Sequence, residues 1–229
     1  MKISLLHPSR GRPNKSHSTS QEWASKIGDE VEWQLIVSVD ESDKRRLDYP
    51  FHYFPDEPSC NPVYHPFQSH VTIHFNNNNS VVMATNYAAE QCTGDILVYL
   101  SDDFKCPDNW GNLIIKEFEG ATGPRVLKVD DCLQKFDVPI LTIPIMNRAM
   151  YELLGYFWNP EYKSMFVDED LYWTARKINA VKMCPHLKFP HEHPSNGKAV
   201  TDETYQRSAA NWNQGKAVFE RRKKQGFPI

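Results

Sequence analysis

The sequence contains neither a CxxC pair nor an HExxH motif, the short patterns that hold zinc in many proteins. No apolar run is long enough for a membrane-spanning helix, and the run at residues 3–6 is too short for a secretory signal. The cysteines are odd in number and irregularly spaced, which favours free thiols over a disulfide framework. They are Cys60, Cys92, Cys106, Cys132 and Cys184. Together these absences predict a cytoplasmic protein in a reducing compartment.

The chain also lacks an internal repeat, a low-complexity linker and a large excess of charge of either sign. Its 229 residues carry a formal net charge of -3, so the bulk composition does not attract nucleic acid, which we do not expect as a partner. A hydrophobic content of 40% is enough to bury a sizeable core. We therefore expect a single domain over residues 1–229.

Apolar runs of strand length alternate with helical patterns along the chain, which is the rhythm of a mostly parallel sheet. Strands are predicted at residues 3–7, 32–39, 70–75, 96–100, 125–129, 140–145 and 180–184. Helices are predicted at residues 15–27, 81–92, 110–119, 148–154, 168–177 and 202–224, with an irregular excursion at 49–67. The pattern predicts an α/β protein with a mixed, mostly parallel central sheet flanked by helices.

Two adjacent carboxylates, Asp102 and Asp103, follow the apolar strand at residues 96–100. Open α/β sheets place ligand sites at the carboxyl ends of their strands, so we expect these acids to face a polar cleft or a metal ion. Carboxylate oxygens are hard ligands that suit Mg²⁺ and Mn²⁺. An Asp-rich turn after a strand is the alternative that composition alone favours.

Two further polar clusters follow in the second half of the chain. The segment 168–170, Asp-Glu-Asp, opens a predicted helix, where the helix dipole stabilises acids whatever their role. His191 and His193 lie between Pro190 and Pro194, which hold the segment extended, so both imidazoles are expected on the same side. An imidazole added to the carboxylates would favour Mn²⁺, and a zinc site built on the two histidines is the competing interpretation.

In this order the motifs resemble those of the nucleotide-sugar glycosyltransferases of family 2 and their relatives with the GT-A fold. The resemblance covers most of residues 1–195. It begins with a first strand whose polar loop reaches Arg12, a second strand that ends in Asp40, and the helical segment Asn86-Tyr87-Ala88-Ala89. Tyr99-Leu100-Ser101-Asp102-Asp103 then stands in place of the family's DxD motif. Asp168-Glu169-Asp170 with Arg176 stands in place of the family's ED…R segment. Ser101 stands where a strict DxD has its first Asp, a departure that the family tolerates.

The resemblance implies roles for these residues in binding a nucleoside diphosphate sugar and a cation. Asp103 would bind Mn²⁺ or Mg²⁺, with either His191 or His193 as a further ligand. Asp102 would contact the sugar or ribose of the donor. The remaining donor-binding candidates are Arg10, Arg12, Asp40 and Asn86. For the two arginines, an ordinary solvated loop is the alternative.

The resemblance also places the general base in the second acidic cluster. Alignment on Arg176 puts Glu169 and Asp170 over the family's ED pair, which makes Asp170 the preferred base. Alignment on the following Asp-Leu instead assigns the role to Asp168. An aromatic platform for an acceptor sugar is a further expectation, with Trp158, Tyr162 and Trp173 as candidates or as ordinary core residues.

The implied activity is metal-dependent transfer of a sugar from a nucleoside diphosphate to an acceptor hydroxyl, with inversion. The acceptor is a glycan, a lipid-linked or another hydroxyl compound, and a modified nucleobase remains open. Residues 1–104 would bind the donor, residues 105–200 would supply the acceptor and catalytic half, and residues 201–229 would form a C-terminal helix. The rivals are a binding module without catalysis, a metal-dependent hydrolase, and a nucleotidyltransferase, for which the loop at 8–13 has too little glycine.

Overall fold

A computed structural model describes residues 1–49 and 70–229, and the strands of this part form one sheet. They are β1 (Ile3–Ser9), β2 (Trp33–Asp40), β3 (Val71–Asn76), β4 (Ile96–Tyr99), β5 (Val126–Asp130), β6 (Ile145–Asn147) and β7 (Val181–Lys188). Their order across the sheet is β3-β2-β1-β4-β6-β5-β7. Within these residues only β6 runs against its neighbours, because it pairs antiparallel with both β4 and β5. The predicted α/β class with a mixed, mostly parallel sheet is confirmed.

Helices cover both faces of this sheet. They are α1 (Pro13–Ser25), α2 (Val81–Glu90), α3 (Trp110–Phe118), α4 (Arg148–Leu154), α5 (Val167–Lys177), α6 (Glu203–Ala210) and α7 (Trp212–Lys224). Leu5 and Leu6 of β1 point to opposite faces and belong to two separate hydrophobic clusters. The helices α1 and α3 supply the first cluster, whereas α2, α4, α5 and α7 supply the second. None of the helices in the described ranges is both long and apolar enough to cross a bilayer.

Two local features determine where α2 begins and how the chain turns into β4. Ser80 caps α2, because its hydroxyl accepts a hydrogen bond from the Met83 amide over 3.1 Å. Gly94 precedes β4, and a Cβ at this position would lie 2.5 Å from Ser4 Oγ and 2.8 Å from Ser4 N. The turn into β4 therefore needs glycine so that the chain can pass close to β1.

Two predicted strands have different bounds in the structure. The strand predicted at 140–145 lies at Ile145–Asn147 instead, since the Ile140 carbonyl accepts from Lys128 Nζ and the Leu141 amide donates to the Asp168 carbonyl. The strand predicted at 180–184 continues to Lys188 through a shift of register. The excursion predicted at 49–67 lies, apart from Tyr49, outside the described residues.

The single helix predicted at 202–224 is wrong, because the segment forms α6 and α7 with Asn211 between them. The helices serve different surroundings, since α6 has no buried residue and α7 packs beside α5. Gly215 lets α7 pass close to the backbone of Met165, whose carbonyl oxygen a Cβ would overlap. A straight helix could not follow both surfaces.

The parallel strands all end at one edge of the sheet, and this edge gathers the polar residues of the sequence. The segments after β1, β2, β4 and β7 meet there, as expected for an open α/β sheet. Because β6 runs in the opposite direction, its amino end, rather than its carboxyl end, lies at the same edge. The candidate site is located here.

Candidate functional site

A cavity of about 590 Å³ opens at this edge, a size typical of small-molecule sites. The end of β2 and the loops after β1, β3, β4 and β7 form its walls, together with the start of α2, the segment before β6, the start of α5 and residues of α6. The predicted site residues at the wall are Arg10, Arg12, Asp40, Asp102, Asp103, Asp168, His191 and His193. The fold thus brings together residues from both halves of the chain.

Two side chains of β1 contact the carboxylate of Asp102. Its Oδ1 lies 2.8 Å from His7 Nε2, and its Oδ2 accepts from the Ser9 hydroxyl over 3.1 Å. The second imidazole nitrogen of His7 lies 3.2 Å from Ser20 Oγ, so His7 can donate to Asp102 while it accepts from Ser20. The carboxylate of Asp102 is therefore fixed at the cavity wall by buried polar partners.

Asp103 and His191 are brought together by backbone pairing. Phe104 and His191 form an antiparallel bridge, and the Glu192 amide donates to the Asp103 carbonyl over 2.8 Å. The His191 ring stacks on Phe104 at 4.3 Å, and its Nε2 lies 3.4 Å from Asp103 Oδ2. Tyr205 of α6 donates to the same oxygen over 2.7 Å. Burial alone would raise the pKa of Asp103, but the bonds from His191 and Tyr205 hold it well below its usual range.

The residues around Asp103 suit a divalent cation that takes its remaining ligands from a bound small molecule and water. Asp103 Oδ1 and His191 Nδ1 are buried and have no hydrogen-bond partner, which is costly for a carboxylate oxygen without an ion or water beside it. Across residues 1–49 and 70–229, no three acidic, His or Cys side chains cluster as a metal cage. Mg²⁺-type sites often use only one or two carboxylates and take their other ligands from phosphates and water.

His193 is placed less directly than His191. Its ring centre lies 5.1 Å from that of His191, so the two imidazoles face the same region as predicted. However, its Nδ1 lies 2.8 Å from Ser195 Oγ and also accepts from the Ser195 amide. Burial and the neighbouring His191 lower the pKa of His193, so it favours the neutral form.

The two arginines of the first loop are paired rather than loosely solvated. Arg10 forms an ion pair with Asp40, the acid that ends β2. Arg12 is only 8% exposed and donates from Nε and Nη2 to the two carboxylate oxygens of Asp202, over 2.7 and 2.6 Å. Asp202 in turn caps α6 by accepting from the Thr204 amide. The loop after β1 is thereby tied to the C-terminal segment.

Asn86 does not lie among the residues that line the cavity. Its side-chain carbonyl accepts from the amides of Phe157 and Trp158, over 3.1 and 2.8 Å. Its amide group donates to the Trp158 carbonyl over 2.7 Å. Through these three bonds the side chain of Asn86 holds the loop after α4 against α2. Asn86 therefore has a structural position and does not face the cavity, where the predicted donor contact would be made.

Asp168 faces the cavity from the first turn of α5. Removal from water raises its pKa to about 6, and the negative charges of Glu169 and Asp131 add to this effect. Lys128, whose own pKa is lowered mainly by burial, is a nearby positive charge. Asp168 is consequently a carboxylate that accepts protons near neutral pH more readily than an ordinary aspartate.

Asp170, the preferred base in the sequence interpretation, points away from the cavity. It is 2% exposed, and its Oδ2 accepts from Arg222 Nε over 2.7 Å and from the Tyr162 hydroxyl over 2.9 Å. Arg176, which stands in place of the family's arginine, is exposed on α5. The arginine that faces Asp170 therefore comes from α7, and of these two acids Asp168 is the one that lines the cavity.

The predicted aromatic platform is largely part of the core. Trp158 and Tyr162 are 3% and 1% exposed, whereas Trp173 is 39% exposed, lies beside Phe227 at 6.2 Å and does not line the cavity. Trp212, which the sequence reading does not single out, is 50% exposed and follows directly after cavity-lining residues of α6. Tyr205 and Asp202 were also missed, because no motif marks them and only the fold brings them to Asp103 and Arg12.

No family model and no curated protein matches the sequence. The fold does match solved structures. One is the mannosyltransferase PcManGT from Pyrobaculum calidifontis in complex with GDP-Man and Mn²⁺, with a TM-score of 0.67 and 14% identity. This match covers 96% of the present chain and 64% of the other, so the chain spans somewhat less than two thirds of that protein.

S. aureus TarS is a second match. Its residues 1–349 align with a TM-score of 0.61 and 14% identity, over 95% of the present chain and 72% of the other. The complex of TarS 1–349 with UDP-GlcNAc aligns with a TM-score of 0.58 and 14% identity, over 90% and 63%. At this level of identity the likeness shows the fold alone, which this chain shares with the mannosyltransferase and with TarS.

Proposed function

We propose that the protein is a cation-dependent glycosyltransferase of the GT-A type that moves a sugar from a nucleoside diphosphate to an acceptor hydroxyl, with inversion. The observation that carries this proposal is the pairing of two features in one cavity. Asp103 has an unpartnered buried oxygen beside His191, and Asp168, with its pKa raised to about 6, lines the same cavity. The matched folds, solved with GDP-Man and Mn²⁺ or with UDP-GlcNAc, support it.

The donor side of the proposal uses the loops after β1, β2 and β4. Asp103 and His191 would hold Mn²⁺ or Mg²⁺, whose Lewis acidity offsets the charge that grows on a diphosphate leaving group. Arg10 and Arg12 lie at the same wall and would face the diphosphate or the nucleobase. Asp102, fixed by His7 and Ser9, would accept hydrogen bonds from hydroxyls of the sugar or ribose.

The acceptor side of the proposal uses Asp168. A hydroxyl becomes a strong nucleophile only as its proton is removed, and a carboxylate with a pKa near 6 is ionised at neutral pH but basic enough to take that proton. Residues 105–200 would supply this acid and the segment before β6, whereas residues 1–104 would supply most of the donor wall. The acceptor would be a glycan, a lipid-linked sugar or another hydroxyl compound.

A thermal-shift panel tests the donor and cation sites. UDP, GDP, dTDP and CMP are each added with and without Mn²⁺, and we expect one diphosphate to stabilise the protein only when Mn²⁺ is present. A ligand at about 100 times its Kd adds about 2.7 kcal/mol, which raises Tm by roughly 5–10 °C for a chain of this size. Asp103→Asn should lose the Mn²⁺-dependent part of the shift.

Indifference of the wild-type protein to every pair of nucleotide and Mn²⁺ would contradict the proposal. Stabilisation by a nucleotide that is equal with and without Mn²⁺ would contradict the cation site alone. A metal-dependent hydrolase is less well supported, because the described residues hold no three-ligand metal cage. A binding module without catalysis would also pass this panel, and the Asp168 experiment below separates it from an enzyme.

A further inference from the structure

Tyr205 contacts the proposed cation ligand although no sequence motif points to it. Its hydroxyl donates to Asp103 Oδ2 over 2.7 Å, and His191 Nε2 lies 3.4 Å from the same oxygen. The other oxygen, Oδ1, is buried and has no hydrogen-bond partner. The two oxygens of the Asp103 carboxylate therefore differ, because Oδ2 has partners within the protein and Oδ1 has no hydrogen-bond partner.

The position of Tyr205 is fixed from several directions. The Arg12 guanidinium lies 4.5 Å from the centre of the tyrosine ring. Asp202, which Arg12 binds through both oxygens, also accepts from the Tyr205 amide over 3.3 Å. The Thr204 hydroxyl donates to the Arg10 carbonyl over 3.2 Å. The start of α6 is thus anchored to the loop after β1, which places the Tyr205 hydroxyl at Asp103.

We propose that Tyr205 is a positioning residue that determines which divalent cation the site prefers. By holding Oδ2 in a strong hydrogen bond to a charged acceptor, it leaves Oδ1 as the single oxygen of Asp103 for a cation. This inference rests on the proposed function, because it assumes that Asp103 binds the cation of the donor.

The coordination chemistry of the cations gives the direction of the preference. Mg²⁺ is small and octahedral, and it is satisfied by one oxygen from each carboxylate, as is the similar Mn²⁺. Ca²⁺ is larger, takes about six to eight oxygen ligands and often binds both oxygens of one carboxylate. A carboxylate that can offer only one oxygen to the cation therefore disfavours Ca²⁺. If the second oxygen loses its bond to Tyr205, the preference for Mg²⁺ or Mn²⁺ over Ca²⁺ should decrease.

The experiment compares Tyr205→Phe with Thr204→Val. Each variant removes one hydroxyl from the start of α6, but only the first removes a bond to Asp103. Mn²⁺ binding is measured from the electron paramagnetic resonance signal of the free ion, in the presence of the nucleotide that stabilises the wild type. Ca²⁺ is then added as a competitor. No turnover is needed for this readout.

We expect Tyr205→Phe to retain Mn²⁺ and to lower the ratio of Mn²⁺ to Ca²⁺ affinity by at least about threefold. Thr204→Val, which removes one anchor of α6 but no bond to Asp103, should lower this ratio much less. An unchanged ratio in Tyr205→Phe would overturn the inference, as would complete loss of Mn²⁺ binding in that variant alone. An equal fall in both variants would also overturn it, because the effect would then belong to the helix. If the wild type binds no Mn²⁺ with any nucleotide, the proposed function fails first and the inference fails with it.

Discussion

Asp168 and Asp170 are two positions apart in α5 and have different surroundings. Asp168 lines the cavity, whereas Asp170 is buried against Arg222 and Tyr162. Two positions along an α-helix differ by about 200°, so the two side chains leave α5 on nearly opposite sides. Phe166 precedes the helix in a left-handed conformation with φ of 70°. Phenylalanine rarely adopts this conformation, so the sequence pattern does not predict it. The acidic cluster could be predicted, but the acid that faces the cavity could not.

At the residue scale, Asp168→Asn should abolish catalysis while it preserves binding. An amide cannot take the proton of the acceptor, so turnover should fall about 10²–10⁴-fold, measured as release of nucleoside diphosphate with a competent donor and acceptor. The nucleotide- and Mn²⁺-dependent thermal shift should persist. Glu169→Gln, one position away and absent from the cavity wall, is the matched control and should keep its turnover at neutral pH, although loss of its charge should lower the pKa of Asp168 slightly.

The pH profile of the wild type gives the same prediction an independent readout. Asp168 must be deprotonated to act, so kcat/KM should fall as the pH drops below about 6 and stay level above it. Equal turnover in Asp168→Asn and the wild type would remove the catalytic role of Asp168, whereas absence of turnover in the wild type with every donor and acceptor would leave a binding module.

The strand ends, in contrast, could be predicted at the residue scale. Asp40, Asp102 and Asp103 follow parallel strands, and parallel strands must end at the same edge of a sheet. His191 also reaches this edge, because β7 ends just before it. What the sequence could not give is the partner of each side chain, such as His7 for Asp102, since such pairs depend on packing between distant segments.

At the element scale, α5 and α7 are joined by a buried ion pair. Arg222 and Asp170 have side chains that are 6% and 3% exposed, so each charge depends on the other. Arg222→Met should lower the free energy of unfolding by about 3–5 kcal/mol, because Asp170 would remain buried without its cation. The unfolding midpoint in urea measures this loss.

The neighbouring position provides the control for this prediction. Arg221 is 50% exposed and pairs with Glu161 at the surface, so Arg221→Met should cost at most about 1 kcal/mol. The double variant Asp170→Asn with Arg222→Met should recover part of the loss, since it leaves no buried charge. A change as small in Arg222→Met as in Arg221→Met would show that α5 and α7 do not depend on the pair.

Other element boundaries differ from prediction for local reasons. The strand predicted to stop at residue 184 continues because Pro185 only interrupts the hydrogen-bond ladder of an edge strand, where a shift of register absorbs it. The helix predicted over 202–224 divides at Asn211 because its two parts meet different surfaces. Both outcomes depend on the neighbours of the segment, which a periodic pattern does not contain.

At the scale of the whole molecule, the site is closed by contacts between residues far apart in the chain. Arg12 and Asp202 are separated by 190 positions, and α6 contributes no buried residue of its own. Segments with few buried apolar contacts open with little free energy. The attachment of α6 should therefore be the weakest part of the cavity wall.

Amide hydrogen exchange, followed by mass spectrometry, tests this expectation. Amides of α6 should exchange at least about tenfold faster than those of α7, because only a few polar contacts hold α6 down. Asp202→Asn should increase the exchange of α6 and leave β1 and β4 unaffected, since it weakens the pair with Arg12. Glu203→Gln changes the same charge one residue along and is the control. Equal protection of α6 and α7 would contradict this view.

The reversed direction of β6 has a consequence for how such a chain can change during evolution. The parallel strands present to the cavity the residues that follow them, whereas β6 presents the residues that precede it, such as Thr142. The side chains of the segment before β6 can therefore change without replacing Asp40, Asp102 or Asp103, while the backbone of the segment stays bonded to Tyr99 at the end of β4 and to Asp168. On the proposed function, new acceptors could be accommodated there while the donor wall stays the same.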